Sequence, residues 1–202
     1  MKGRSNLQPY VVAALAMLLA LPALTGSAGA ADAKPMNAIL LIAKDDLDDP
    51  NFADSVVLVM NNIGPAPVGV IINRPTEISV SKLFPDLGRP ERMRDKVYFG
   101  GPVDLDSVWF LFRAAKRPEH AIPVLQGVYL SASRDLLLQL LRRDEPMAGL
   151  RIYVGHSGWG PGQLEAELGN GSWRLEHAAA ERIFHGKGEH PWPSKPAAKH
   201  ST

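Results

Sequence analysis

The chain of 202 residues contains no cysteine. A disulfide framework and a lipid-modified cysteine anchor are therefore excluded. An excess of either charge is also missing, with 22 Lys and Arg against 21 Asp and Glu. No basic stripe with interleaved aromatics occurs, so electrostatics gives no reason to expect a nucleic-acid partner. The six histidines, His120, His156, His177, His185, His190 and His200, form no H-x-x-x-H pair and no visible tetrahedral set. No metal or cofactor is expected. The acidic run Asp45, Asp46, Asp48, Asp49 lacks the sixth-position glycine and twelfth-position glutamate of a calcium loop and reads as a solvated turn. There is no internal repeat.

What is present starts with an address. Lys2 and Arg4 precede an uncharged apolar run, Val11 to Leu24, and then "TGSAGA", with Ala28 and Ala30 in an A-x-A arrangement. This is the pattern of a secretory signal cleaved after Ala30. The run is shorter than the roughly 20 apolar residues a spanning helix needs. An uncleaved N-terminal anchor is the alternative. Cleavage leaves residues 31–202, whose 20 basic residues (22 less Lys2 and Arg4) face all 21 acidic ones. The expected location is the periplasm, with no stable membrane span once the signal is gone.

Residues 31–38 read as a linker, 39–184 as one folded domain and 185–202, rich in Pro and Lys, as a disordered tail. "ILLIAK", "SVVLVM" and "VGVIIN" are apolar on both faces, as strands covered on both sides are. "VYF", "VWFLFR", "VLQGVYLSA", "LRIYVG" and "SWRLEH" read as further strands, and "SVSKLF" and "AAAERIF" as short helices. Ser133 is a plausible N-cap for a helix with the stripe Leu136, Leu137, Leu140, Leu141. Pro161 opens another helix, running to about Leu168. Interspersed strands and helices predict a layered α/β domain, with α+β as the other possibility.

The stretch "YVGHSGWGPGQLEAEL", Tyr153 to Leu168, has the look of an active site. A nucleophile elbow needs G-x-S-x-G, and Trp159 stands where the second glycine belongs. Gly155 and Gly160 have the spacing of a phosphate loop, but Pro161-Gly162 replace its lysine and hydroxyl residue. No catalytic residue is assigned. The glycines can still offer backbone N–H groups to an anion at a helix start, or simply permit a tight turn for Trp159. Arg74 ends an apolar strand, which delivers a guanidinium to the sheet rim where ligands of α/β sheets sit. Its other reading is a structural arginine paired with a carboxylate such as Asp49.

Taken together, "LLIAKDDLDDPNFADSVVLV", "VGVIINRP", "VYFGGPV", "SASRD" and "GHSGWGPGQLEAEL" resemble the YqgE/AlgH family over about residues 39–184. The resemblance implies a layered α/β single domain and little chemistry. It brings a label of transcriptional regulator, and Ala commonly stands in that family where Ser157 stands here. The chain departs from the family in its signal segment, since members are usually cytoplasmic, and in "MNNIGPAPVG", which is shorter than in many relatives and lacks their histidine.

These readings converge on a non-catalytic binding or interaction module of the cell envelope, with an unknown protein or small-molecule partner and a small anion as candidate ligand. The expected cleft is lined by Asn73, Arg74, Gly100, Gly101, Ser157, Gly158, Trp159, Gly160 and Gln163. The alternative is a transcriptional regulator. A hydrolase using Asp49, Arg74 or Ser157 comes third.

Overall fold

The structure, a computed structural model, describes residues 38–60 and 63–184. The signal segment, nearly all of the linker and the tail lie outside the described residues.

The chain forms strands β1 (Ile39–Ala43), β2 (Val56–Met60), β3 (Val68–Ile71), β4 (Pro75–Ser79), β5 (Lys96–Phe99), β6 (Val103–Arg113), β7 (Ile122–Leu125), β8 (Val128–Ser131), β9 (Leu150–Gly158) and β10 (Trp173–His177). The helices are α1 (Val80–Leu83), α2 (Arg134–Leu141), α3 (Gln163–Gly169) and α4 (Ala180–Ile183). The hydrogen-bonded strand order is β10-β1-β2-β3-β9-β6-β8-β7, with β4 on β5 and β5 on β9. The β5–β9 pair is parallel, and every other pair is antiparallel.

Side-chain alternation explains why β1 and β2 are apolar throughout. Leu40, Ile42, Leu58 and Met60 enter one cluster, while Leu41, Val57 and Val59 enter another. The first cluster also receives Leu111 and Leu130 from the far half of the sheet, together with Tyr153. The sheet curls so that its two halves share this interior. Outside it, α2 covers one half through Leu137 and Leu141 against Phe110, Phe112 and Ile152. Leu164 of α3, with Trp159 and Trp173, covers the other. The result is a mixed sheet-and-helix domain built on a curled, mainly antiparallel sheet.

Four details depart from the sequence reading. "VLQGVYLSA" is not one strand: Gly127, at φ +70°, turns it into the β7–β8 hairpin. β4 is a strand that the sequence did not suggest. The helix expected from Pro161 starts at Gln163, because Gly162 sits at φ +74° and no helical residue does. Strand β9, expected to stop at Gly155, runs on to Gly158. Ser133 does cap α2, its Oγ accepting the Leu136 N–H at 3.4 Å.

Candidate functional site

The extension of β9 decides what the glycine-rich stretch is. Ser157 is not on a turn. It lies on β9 opposite Gly69 of β3, with Gly158 opposite Val68. Just before it, the chain leaving β5 is wedged between β3 and β9. Gly100 donates its N–H to the Val154 carbonyl at 2.8 Å and accepts from the Ile71 N–H at 2.8 Å. A Cβ on Gly100 would overlap the Gly155 carbonyl, one on Gly101 the His156 carbonyl, and one on Gly155 the Gly101 carbonyl. The glycines of "FGGPV" and "VGHSG" therefore let two backbones cross at contact distance.

Ser157 closes this crossing. It is fully buried, and its Oγ–H donates to the Gly100 carbonyl at 3.1 Å. That hydroxyl faces backbone, and neighbouring His156 is committed elsewhere, so a Ser–His couple is not assembled. Ser157→Ala is expected to fold and to lose about 1 kcal/mol in a urea titration, the usual net worth of one hydrogen bond. The loss stays small because the Gly100 carbonyl keeps the Ile71 N–H as donor.

The next residues build a polar knot inside an aromatic cluster. The Trp159 and Trp173 indole N–H groups both donate to Glu167 Oε2, at 2.9 and 2.8 Å. Gln163, one turn before Glu167 on α3, donates its Nε2 to Glu167 Oε1 at 2.9 Å. Its Oε1 accepts the Gly160 N–H at 3.0 Å. The anion reading had assigned that N–H to a ligand. Phe52 completes the cluster, stacked on Trp159 at 6.3 Å and edge-on to Trp173 at 5.7 Å. Sequence reading missed Glu167, Phe52 and Trp173. The only signal for Glu167 was its i,i+4 spacing from Gln163.

Asn73 and Arg74 hold the segment that carries Phe52. Asn73 accepts the Val56 N–H on Oδ1 and donates Nδ2 to the Asp54 carbonyl, both at 2.9 Å. Arg74 donates to the carbonyls of Asn51 and Ala53, at 2.7 and 2.8 Å, and lies over the Phe99 ring at 5.7 Å. Those two carbonyls flank Phe52, so the guanidinium fork aims the ring at Trp159. Arg74 and the Trp159 turn are connected through Phe52, whose flanking carbonyls Arg74 holds and whose ring stacks on Trp159. Asp49 is not the partner of Arg74. Its Oδ1 accepts the Asn51 N–H at 2.8 Å. Arg74→Lys is expected to cost about 1–2 kcal/mol by chemical denaturation, because an ammonium has no planar fork to span two carbonyls.

Of the nine candidate residues, Asn73 and Arg74 thus hold the backbone around Phe52, Trp159 stacks on its ring, and Gln163 joins Trp159 through Glu167. Gly100, Gly101 and Ser157 form the backbone crossing, and Gly158 and Gly160 link the two. Among the described residues no group of three or more His, Asp or Glu is placed to hold a metal. An open groove of about 560 Å³ lies between Arg92 and the 144–148 loop, lined by none of the nine.

A family model described as AlgH-like matches residues 40–198. A UPF0301 protein of Xanthomonas campestris pv. campestris is 36% identical over 162 residues, covering 78% of this chain and 86% of the relative. One from Myxococcus xanthus is 38% identical over 149 residues, covering 72% and 80%. The solution structure of the AlgH protein from Pseudomonas aeruginosa superposes with a TM-score of 0.60 at 28% identity, covering 75% of this chain and 82% of that one. A crystal structure from Corynebacterium diphtheriae shares the fold, with a TM-score of 0.59 at 23% identity over 76% of this chain and 81% of that one.

Proposed function

The chain belongs to the AlgH-like family, whose function is uncharacterised, and from that premise we propose that it is a non-catalytic binding or interaction module of the cell envelope. One observation carries the non-catalytic part. The groups that made the glycine-rich stretch look reactive bond one another or the backbone: the buried Ser157 hydroxyl to Gly100, the Trp159 indole to Glu167, and, at the surface, the Gln163 amide to Gly160 and Glu167. A buried hydroxyl aimed at a carbonyl cannot meet a substrate, and a capped N–H cannot receive an oxyanion. What remains for function is surface. Val103 and Leu105, 41% and 58% exposed, stand together on β6 beside the crossing and offer an apolar contact to a protein partner. The envelope part rests on the apolar run and A-x-A site of residues 1–30.

The test has two readouts. Residues 1–37 fused to an export-dependent reporter should be secreted, and the mature protein should begin near Ala31. A photo-crosslinking residue at Leu105 should trap one defined envelope protein, whereas the same residue at exposed Leu175 on β10 should not. Cytosolic protein with an intact N-terminus that binds DNA would establish the regulator reading instead. Hydrolase activity lost on Ser157→Ala would overturn the non-catalytic one.

A further inference from the structure

His156 takes no part in the knot or the crossing, and its surroundings are unusual. Its imidazole lies flat on Trp109, with ring centroids 4.6 Å apart and planes 9° from parallel. Its Nδ1 is buried and has no hydrogen-bond partner. Next to it, β6 loses register with β9. Val103 pairs with His156 and Val108 with Val154, so a two-residue step on β9 faces a five-residue step on β6. Residues 104–107, which stand opposite Gly155 alone, form a bulge. Asp104 within it sits at φ +48°, a left-handed conformation that a non-glycine residue adopts at a cost. The Ser107 hydroxyl bonds the Asp104 carbonyl across the bulge at 2.7 Å, and Leu105 lies over Gly155. The His156 backbone pairs with Val103 at one end of the bulge, and its ring rests on Trp109 just past the other. One residue ties both ends, by its backbone at the first and by its ring at the second.

A neutral imidazole carrying its proton on Nε2 buries only a lone pair at Nδ1. A second proton must go to Nδ1, where no acceptor waits, and a buried unpaired donor is costly. We propose that the His156–Trp109 stack is a proton-operated latch on the β6 bulge: protonation of His156 from solvent breaks the stack and releases residues 104–107, with Leu105 among them.

Two effects act on His156. Burial, the larger, pushes it below the usual histidine range, and the Asp104 carboxylate opposes this. Among the other titratable groups nearby, Asp106 is exposed on the same bulge, and Tyr98 and Arg151 lie on the adjacent β5 and on β9. Burial raises Tyr153 well above the tyrosine range, so it stays neutral throughout. The folded state thus prefers the neutral ring. The latch is fully closed above about pH 6.5, the ordinary histidine value. It is lost as pH falls through the lower folded-state value of His156. Asp104 is the carboxylate that receives the protonated ring.

The test is an NMR pH titration of the full chain from 7.5 to 5, with the His156 resonance assigned by its loss in His156→Gln. His156 should titrate below about pH 6.5. The amides of residues 104–107 should shift with the same midpoint. His156→Phe keeps a flat ring without a proton, and its bulge should stay closed at pH 5. Asp104→Asn removes the opposing carboxylate and should move the His156 midpoint further down, and the midpoint of the bulge amides with it. Bulge amides that ignore pH overturn the proposal. So does a response unchanged in His156→Phe, or a His156 midpoint unmoved by Asp104→Asn.

Discussion

Gly101→Ala is expected to cost more than about 4 kcal/mol, most of the stability of a domain at the low end of the ordinary range. Gly101 sits at φ +147°, where side chains are disfavoured, and a Cβ there would overlap the His156 carbonyl and the Ser157 hydroxyl. The obstacle is backbone, so no rotamer change relieves it. Nor can the backbone withdraw easily. His156 pairs with Val103 on β6, and Ser157 pairs with Gly69 on β3. Moving β9 away would break the seam that joins the two halves of the curled sheet. Gly162→Ala supplies the control. Gly162 also has a positive φ, +74°, but a Cβ there meets nothing within 4 Å. Its expected cost is about 1 kcal/mol, that of the left-handed conformation alone. Urea unfolding followed by far-UV circular dichroism compares the two. Equal losses would mean that the crossing is not the pinned contact described above.

Glu167→Gln should destabilise the domain by about 2 kcal/mol, although it changes only one carboxylate oxygen into an amide nitrogen. The carboxylate takes three donors: two indole N–H groups on Oε2 and the Gln163 amide on Oε1. A glutamine at 167 has one acceptor oxygen. If that oxygen faces the indoles, its NH2 meets the Gln163 NH2. Flipping Gln163 cures that clash but turns an NH2 toward the Gly160 N–H, which now bonds Gln163 Oε1. If the oxygen faces Gln163 instead, both indole donors meet an NH2. Every arrangement sets donor against donor within the domain; on the indole side Trp159 and Trp173 are nearly buried and water is not at hand, whereas at exposed Gln163 water relieves part of the clash. Trp159→Phe removes one donor in advance. In the double variant the Glu167→Gln penalty should shrink, giving a coupling of about 1 kcal/mol in the mutant cycle. Near-UV circular dichroism should report the loosened indoles. A Glu167→Gln variant as stable as the parent would mean that the network does not hold the cluster.

Much of the fold was legible, for identifiable reasons. The runs around Leu41, Val57 and Val70 are apolar on both faces, and only a doubly covered strand uses both faces in that way. Ser133 before a leucine stripe announced α2 through local capping chemistry. The sequence singled out several residues that the structure ties into one network, but not what they bond. Trp159 and Gln163 share Glu167, while Asn73 and Arg74 hold the segment of Phe52, and Arg74 spends its donors on the carbonyls of Asn51 and Ala53. Every residue carries a carbonyl, so no residue letter marks those two as acceptors. Glu167 looked like one more solvent-facing acid of α3 until Trp173, which follows the helix, was brought against it.

The sequence by itself determined what local chemistry and periodicity encode: a chain without cysteine, an apolar N-terminal run, doubly buried strands, a capped helix, and motifs sufficient to place it in its family. Tertiary structure alone decided what the glycines are for. "GHSG" read in isolation suits a turn before a helix. It became the end of β9 because β3 and the Gly100–Gly101 segment pair along its edge. That pairing turned Ser157 inward and left the bulge and His156 beside the surface of β6. The physical reason is range. A cap or an alternating run involves neighbours a few positions apart. The contacts that assign Gly101, Ser157, Arg74 and Glu167 their roles join separate segments, and nothing in the residues themselves records which carbonyl or indole will arrive.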